Sequence, residues 1–227
     1  MIYVIGALLI IGLIFAPQYW VQWVLERHNK KDEANFPGSG GEFARHLLNR
    51  YHLEEISVGI SNMGDHYNPV DRSVNLTRDK FEGKTLTAIT VAAHECGHAL
   101  QHAAGEPLFQ LRTRLAKLAV WAQRLGSFLL FAAPLLVLFT RAPSVALLNI
   151  TGAILVLGFA IIMHLITLPV EIDASFNKAL PILESGYLNP KQIPAARSIL
   201  RAAALTYVAA SLASLFNFWR WMAVLRR

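Results

Sequence analysis

His94-Glu95-Cys96-Gly97-His98 sets two imidazoles four residues apart, with a carboxylate beside the first. On a helix, positions i and i+4 share one face about a turn apart, so both rings can reach a single tetrahedral metal ion. Glu95 then lies where it can take a proton from a metal-held water. The ion lowers that water's pKa to roughly 7 and polarises a substrate carbonyl. The bare spacing H-E-x-x-H also arises by chance, so its setting matters. Val91, Ala92 and Ala93 precede it, Cys96 and Gly97 are uncharged, and Ala99 and Leu100 follow. A buried metal-binding helix needs such small, apolar neighbours. Cys96 is the only cysteine, which excludes an intrachain disulfide and a cysteine-built zinc site. It reads as a small buried residue rather than a reactive thiol.

A catalytic zinc takes three protein ligands and keeps one position for water. Glu171, within Pro169-Val170-Glu171-Ile172-Asp173-Ala174-Ser175, is the best third candidate. An acidic pair just beyond a long apolar run is expensive unless it has a partner. Asp173 is the alternative ligand, or an acceptor orienting an imidazole N–H. His102 continues the four-residue series, but it lies about 6 Å along an ideal helix axis from His98. It therefore reads as an outer neighbour of the site. The expected centre is one Zn2+ on His94, His98 and Glu171, with Glu95 as catalytic base and Asp173 and His102 in the surrounding hydrogen-bond shell.

The elements that must position these residues follow from composition. Hydrophobic residues make up 54% of the chain and collect in long uncharged runs, the distribution of a membrane protein. Residues 1–25 carry no charge and suit an N-terminal transmembrane helix, with Tyr19, Trp20 and Trp23 as an interfacial belt before Arg27, Lys30 and Lys31. Residues 26–123 read as a small zincin-like α+β catalytic domain. A helix is entered from Ser39-Gly40-Gly41-Glu42, short strands fall at 56–60 and 74–77, and turn chemistry fills 64–73 between them. A further helix runs from Thr85 to about Ala104 and stops at Gly105. The 74–77 strand is expected at a sheet edge, where an extended peptide could pair with it.

Residues 124–170 are expected to form a transmembrane hairpin that returns Glu171 to the side of the histidines. Residues 171–200 supply the third-ligand helix and a connector. Residues 201–227 form a last transmembrane or interfacial helix, because Arg226 and Arg227 disfavour a full span. The expected fold class is thus a mainly α integral membrane protein, with three or four transmembrane helices and a small zincin-like α+β catalytic domain. The net charge of +6 flanks the apolar runs instead of forming a basic patch interleaved with aromatics, which excludes nucleic acid as a partner. The expected partners are the lipid bilayer and a protein or peptide substrate; nothing specifies an oligomeric state.

Four motifs in order, Gly64-Asp65-His66-Tyr67, His94 through His102, Leu168 through Ser175, and Ala202 through Ala209, resemble the bacterial YugP-like membrane zinc metallopeptidases over nearly the whole chain. The resemblance implies a multi-pass peptidase of the bacterial plasma membrane binding one zinc, and positive-inside charge turns its catalytic domain to the cytoplasm. More distantly, the arrangement is similar to the HtpX-like gluzincins. In those, a glutamate ligand is followed four residues later by an aspartate that supports a histidine. Glu171 matches the ligand position, whereas Ser175 stands where the aspartate would be.

The leading functional reading is an endopeptidase acting on membrane-associated or misfolded protein. One alternative is a site-2-type intramembrane protease with its zinc helix inside the bilayer, but Lys80, Glu82 and Lys84 crowd one end of that helix and the Asp-Gly third-ligand motif is missing. The other is a non-catalytic, zinc-stabilised membrane scaffold. Glu95 argues against it, since a structural site needs no general base.

Overall fold

The computed structural model describes residues 2–29 (side chains from Phe15), 36–121, 152, 159 and 162–205. In chain order these form α1 (Ile2–Arg27), α2 (Gly40–Arg50), β1 (Ser57–Ile60), β2 (His66–Asn68), β3 (Ser73–Leu76), the single turn α3 (Arg78–Phe81) and α4 (Leu86–Ala103). Three helices follow: α5 (107–121), α6 (162–187) and α7 (193–205). Beyond 172, α6 widens into π-helical turns at Asp173–Ala179 and Leu183–Tyr187, separated by the α-helical turn Leu180–Ile182. The chain divides into two compact units, Met1–Glu106 with Leu168–Arg227, and Pro107–Thr167. Every residue of the candidate site belongs to the first.

Local sequence explains the helix starts. The Glu42 N–H donates to Ser39 Oγ at 3.3 Å, and the Ser39 N–H donates to the Glu42 carboxylate at 2.7 Å. This reciprocal cap satisfies two otherwise orphaned donors at the start of α2. Gly40 follows because α2 enters against other backbone: a Cβ there would meet the Lys80 carbonyl at 2.3 Å and the Ala88 carbonyl at 2.9 Å. Thr85 caps α4, its hydroxyl accepting from the Ala88 N–H at 3.1 Å. At the other end Gly105 takes a φ of +67°, a conformation glycine enters without steric cost.

α4 is buried from Leu86 through Ala99 and again at Gln101. It packs against α2, α3, the sheet and the π-helical part of α6. Val74 and Leu76, two apart on β3, are both buried, as the period of a strand requires of one face. The sheet order is β1-β3-β2, with β1 parallel and β2 antiparallel to β3. The segment expected as an edge therefore runs through the middle. The free edge beside the candidate site is β2, which the sequence presented as turn chemistry. Asp65 fixes that edge: one carboxylate oxygen accepts from the Thr77 N–H at 2.7 Å and the Thr77 hydroxyl at 2.9 Å, and the other pairs with Lys80 Nζ at 3.1 Å.

Among the described residues no helix is long and apolar enough to cross a membrane. This corrects the expected fold class of a mainly α integral membrane protein with three or four transmembrane helices; the described chain is helical with one small sheet. The described side chains of α1, from Phe15 on, include Gln18, Gln22, Glu26 and Arg27 beside the buried Val21 and Val24. The foot of α1 is held by protein, with Thr87 Oγ donating to the Leu25 carbonyl at 3.0 Å and Thr85 Oγ to Asn29 Oδ1 at 2.7 Å. α4 is enclosed by protein and bears His94, Glu95 and His98, while α7 bears Arg197 and Arg201. Most of the expected hairpin at 124–170, positions 206–227 of the expected last helix, and Lys30 and Lys31 lie outside the described residues.

α4 and α6 approach closely at Gly97, where a Cβ would lie 2.7 Å from the Ala174 carbonyl oxygen. Gly97→Ala is expected to force the helices apart and destabilise the protein by about 1–3 kcal/mol, the usual cost of overpacking. Urea unfolding of the variant measures this, and an unchanged midpoint would contradict the crossing.

Candidate metal centre

Helical spacing puts His94 and His98 on one face of α4, and α6 carries Glu171 to that face. Glu171 Oε2 lies 3.2 Å from His94 Nε2 and 3.2 Å from His98 Nε2. One ligand atom from each of the three residues falls within 4.8 Å of the others, and all three side chains are buried. The imidazoles meet edge to face, with centroids 4.8 Å apart. In a tetrahedral zinc site with bonds of about 2.0–2.1 Å, neighbouring ligand atoms stand roughly 3.3–3.5 Å apart. The two nitrogen-to-oxygen distances are close to that edge length, so the donor set and its spacing fit one Zn2+.

The electrostatics support the fit. Glu171 has no exposed surface. Burial alone would raise its pKa, but the two histidines outweigh that and hold it well below the usual carboxylate range. An ionised carboxylate buried this deeply needs positive charge beside it.

Glu95 has a different environment. It is 5% exposed, and burial pushes its pKa up to about 7; His94 opposes the rise, Glu171 and Asp65 add to it, and the Tyr67 backbone N–H lowers it. The two carboxylates are therefore set apart, one held ionised between imidazoles and one poised near neutrality. Cys96 plays no part in this chemistry. Burial raises its thiol far above the ordinary value, and its Sγ donates to the Ala44 carbonyl at 3.7 Å.

Each imidazole is also held from behind. Ser175 Oγ donates to the Leu200 carbonyl at 3.3 Å, which leaves its lone pair to accept from His94 Nδ1 at 3.0 Å. His98 Nδ1 lies 2.9 Å from Gln101 Oε1. Gln101 Nε2 in turn donates to the Val170 carbonyl and to Asp173 Oδ2, each at 2.8 Å. Asp173 thus lies outside the ligand cluster and is linked to His98 through Gln101. Burial would raise Asp173, yet hydrogen bonds from Lys178, Asn177 and Gln101 hold it below its ordinary pKa. His102 turns away from the cluster and pairs with the Tyr67 hydroxyl at 2.8 Å.

Sequence alone assigns Gln101 no role, and Ser175 stands out there only as a departure from a gluzincin pattern. A signal existed for both. Gln101 is three residues beyond His98 and Ser175 four beyond Glu171, spacings that share a helix face. The strand character of His66-Tyr67-Asn68 was also missed, and with it the approach of the Tyr67 N–H to Glu95.

A family model described as "Putative neutral zinc metallopeptidase" matches residues 2–226. The chain is 33% identical over 227 residues to "Putative membrane protease YugP" of Bacillus subtilis (strain 168), covering 99% of this chain and 96% of that protein. No solved structure matches.

The geometry separates two candidate ligands. Glu171→Ala is expected to abolish stoichiometric zinc, whereas Asp173→Ala, which only loosens Gln101, keeps the greater part. Metal analysis of the purified variants decides, and the reverse order would transfer the ligand role to Asp173.

Proposed function

The chain belongs to the neutral zinc metallopeptidase family, and on that premise we propose that it is an endopeptidase with His94, His98 and Glu171 holding one zinc and Glu95 acting as general base. The observation that carries this reading is the convergence of those three ligand atoms in a buried space with the Glu95 carboxylate alongside. Zinc bound there supplies Lewis acidity toward a water and a peptide carbonyl. Glu95 accepts a proton from the attacking water and returns it to the leaving amine. A carboxylate with a pKa of about 7 suits both directions of that transfer.

The sheet offers a track for the substrate. β2 pairs with β3 on one side only, and its other edge runs beside Glu95, whose carboxylate the Tyr67 N–H approaches. A peptide laid along this edge as an added strand brings its backbone carbonyls to the metal face of α4. Main-chain pairing of this kind tolerates varied side chains, which suits misfolded or membrane-associated proteins as substrates. The Bacillus relative is named a membrane protease. For this chain we extend that name to association with the bacterial plasma membrane, the site facing the cytoplasm.

Glu95→Gln keeps the shape of the side chain and removes the base. The variant is expected to bind zinc as the parent does and to lose turnover of an unfolded protein substrate by about 10²–10⁴-fold, the usual contribution of a positioned base. Zinc retained with turnover unchanged would remove Glu95 from the mechanism.

A further inference from the structure

We propose that Gln101 is a positioning residue that fixes the orientation of His98 and, through the same amide, sets the reach of Glu171; this rests on the metal-centre reading above. Gln101 is 1% exposed and lies one turn beyond His98 on α4. Its amide touches three groups: His98 Nδ1 at 2.9 Å, the Val170 carbonyl at 2.8 Å and Asp173 Oδ2 at 2.8 Å. A backbone carbonyl and an ionised carboxylate only accept hydrogen bonds. Both must therefore face the amide NH2, which directs Oε1 at His98. An amide oxygen only accepts, so His98 Nδ1 must carry a proton there. The lone pair of that ring is then on Nε2, the atom 3.2 Å from Glu171 Oε2. The network thus assigns both the Gln101 rotamer and the His98 tautomer needed at a metal.

The same side chain ties two helices together at the residue that matters. Val170 immediately precedes Glu171, so the bond from Gln101 Nε2 anchors the α6 backbone one residue from the proposed ligand. Asp173 keeps the amide from reversing, and it is itself held by Lys178, whose ammonium also pairs with Glu106 at 2.6 Å. Asn177 Nδ2 donates to its other oxygen at 2.8 Å. A chain of bonds therefore runs from the turn after α4 through Lys178, Asp173 and Gln101 to a zinc ligand. His94 is held by a different tie, to Ser175 Oγ on α6, which passes its bond to the Leu200 carbonyl.

The test is zinc affinity of the full chain, measured by competition with a chromophoric chelator, alongside the visible absorption of the cobalt-substituted protein. Gln101→Leu, which keeps the volume and removes the amide, is expected to weaken zinc about 10–100-fold, the usual effect of losing an outer partner of a ligating histidine. It should also shift the cobalt bands. Gln101→Glu keeps an acceptor for His98 but sets a carboxylate against Asp173, so it too should bind weakly. Adding Asp173→Asn to Gln101→Glu supplies an N–H to that carboxylate and should recover most of the loss. Parental affinity and an unshifted cobalt spectrum in Gln101→Leu would overturn the proposal. So would a double variant no tighter than Gln101→Glu. If Gln101→Leu fails to fold by circular dichroism, the comparison of Gln101→Glu with the double variant decides alone. His98→Ala and Glu171→Ala are run alongside: zinc bound as tightly as in the parent would overturn the metal-centre reading itself rather than the role of Gln101.

Discussion

The approach of α6 to α4 at Gly97 is the constraint on which the site depends. The Ala174 carbonyl lies where a side chain on Gly97 would have to go, and Gly97 is the residue between the turns that present His94 and His98. Val170, Glu171 and Ser175 all meet α4 along this same crossing. Each successive residue of an α-helix turns by about 100°, so a slip of one position would carry Glu171 out of reach of both imidazoles. The π-helical turns extend the arrangement. Asp173 and Lys178 are five residues apart, a spacing that a π-helix brings onto one face and an α-helix does not. The ion pair that steadies Asp173 therefore belongs to the widened helix.

Burial sorts the two acidic residues into different tasks. Glu95 and Glu171 are both enclosed and repel one another, so they cannot both ionise freely. Two imidazoles at 3.2 Å keep the charge on Glu171. Glu95 has only the His94 ring and the Tyr67 N–H to set against desolvation, and it rises toward neutrality. Pairs of titratable groups driven apart in this way mark acid–base chemistry. A purely structural zinc site would have no use for a second, partly protonated carboxylate beside its ligands.

Much of the site was legible in the sequence because its parts are local. His94, Glu95 and His98 follow from helical spacing, and the small residues around them announced a buried helix that the structure places at Leu86–Ala103. The helix starts near Ser39 and Thr85 were readable for the same reason. β2 was not: three residues are too few to show alternation, and Pro69 just after them speaks for a turn. The central place of β3 depends on its parallel pairing with β1, a non-local fact with no sequence signature. Glu171 is legible because an acidic pair just beyond a long apolar run needs a partner; the expected hairpin that would return it to the histidines lies mostly outside the described residues. In the structure α6 packs on α4 and sets the Glu171 carboxylate against both histidines.

The nature of the outer partners bears on how such a centre would be tuned. A carboxylate behind a ligating imidazole raises the basicity of the ring and draws electron density toward the metal. Here a hydroxyl backs His94 and an amide backs His98, and the Asp173 carboxylate is held behind that amide with Lys178 beside it. In a metal site built on these residues, Glu171 would supply the charged ligand and the two imidazoles would be backed by uncharged groups. A zinc ion held in that way would keep more of its positive charge for a water and a carbonyl. The serine that departs from the gluzincin pattern is consistent with this arrangement: its hydroxyl still orients His94, and it does so without adding a negative charge to a buried site that already contains two carboxylates.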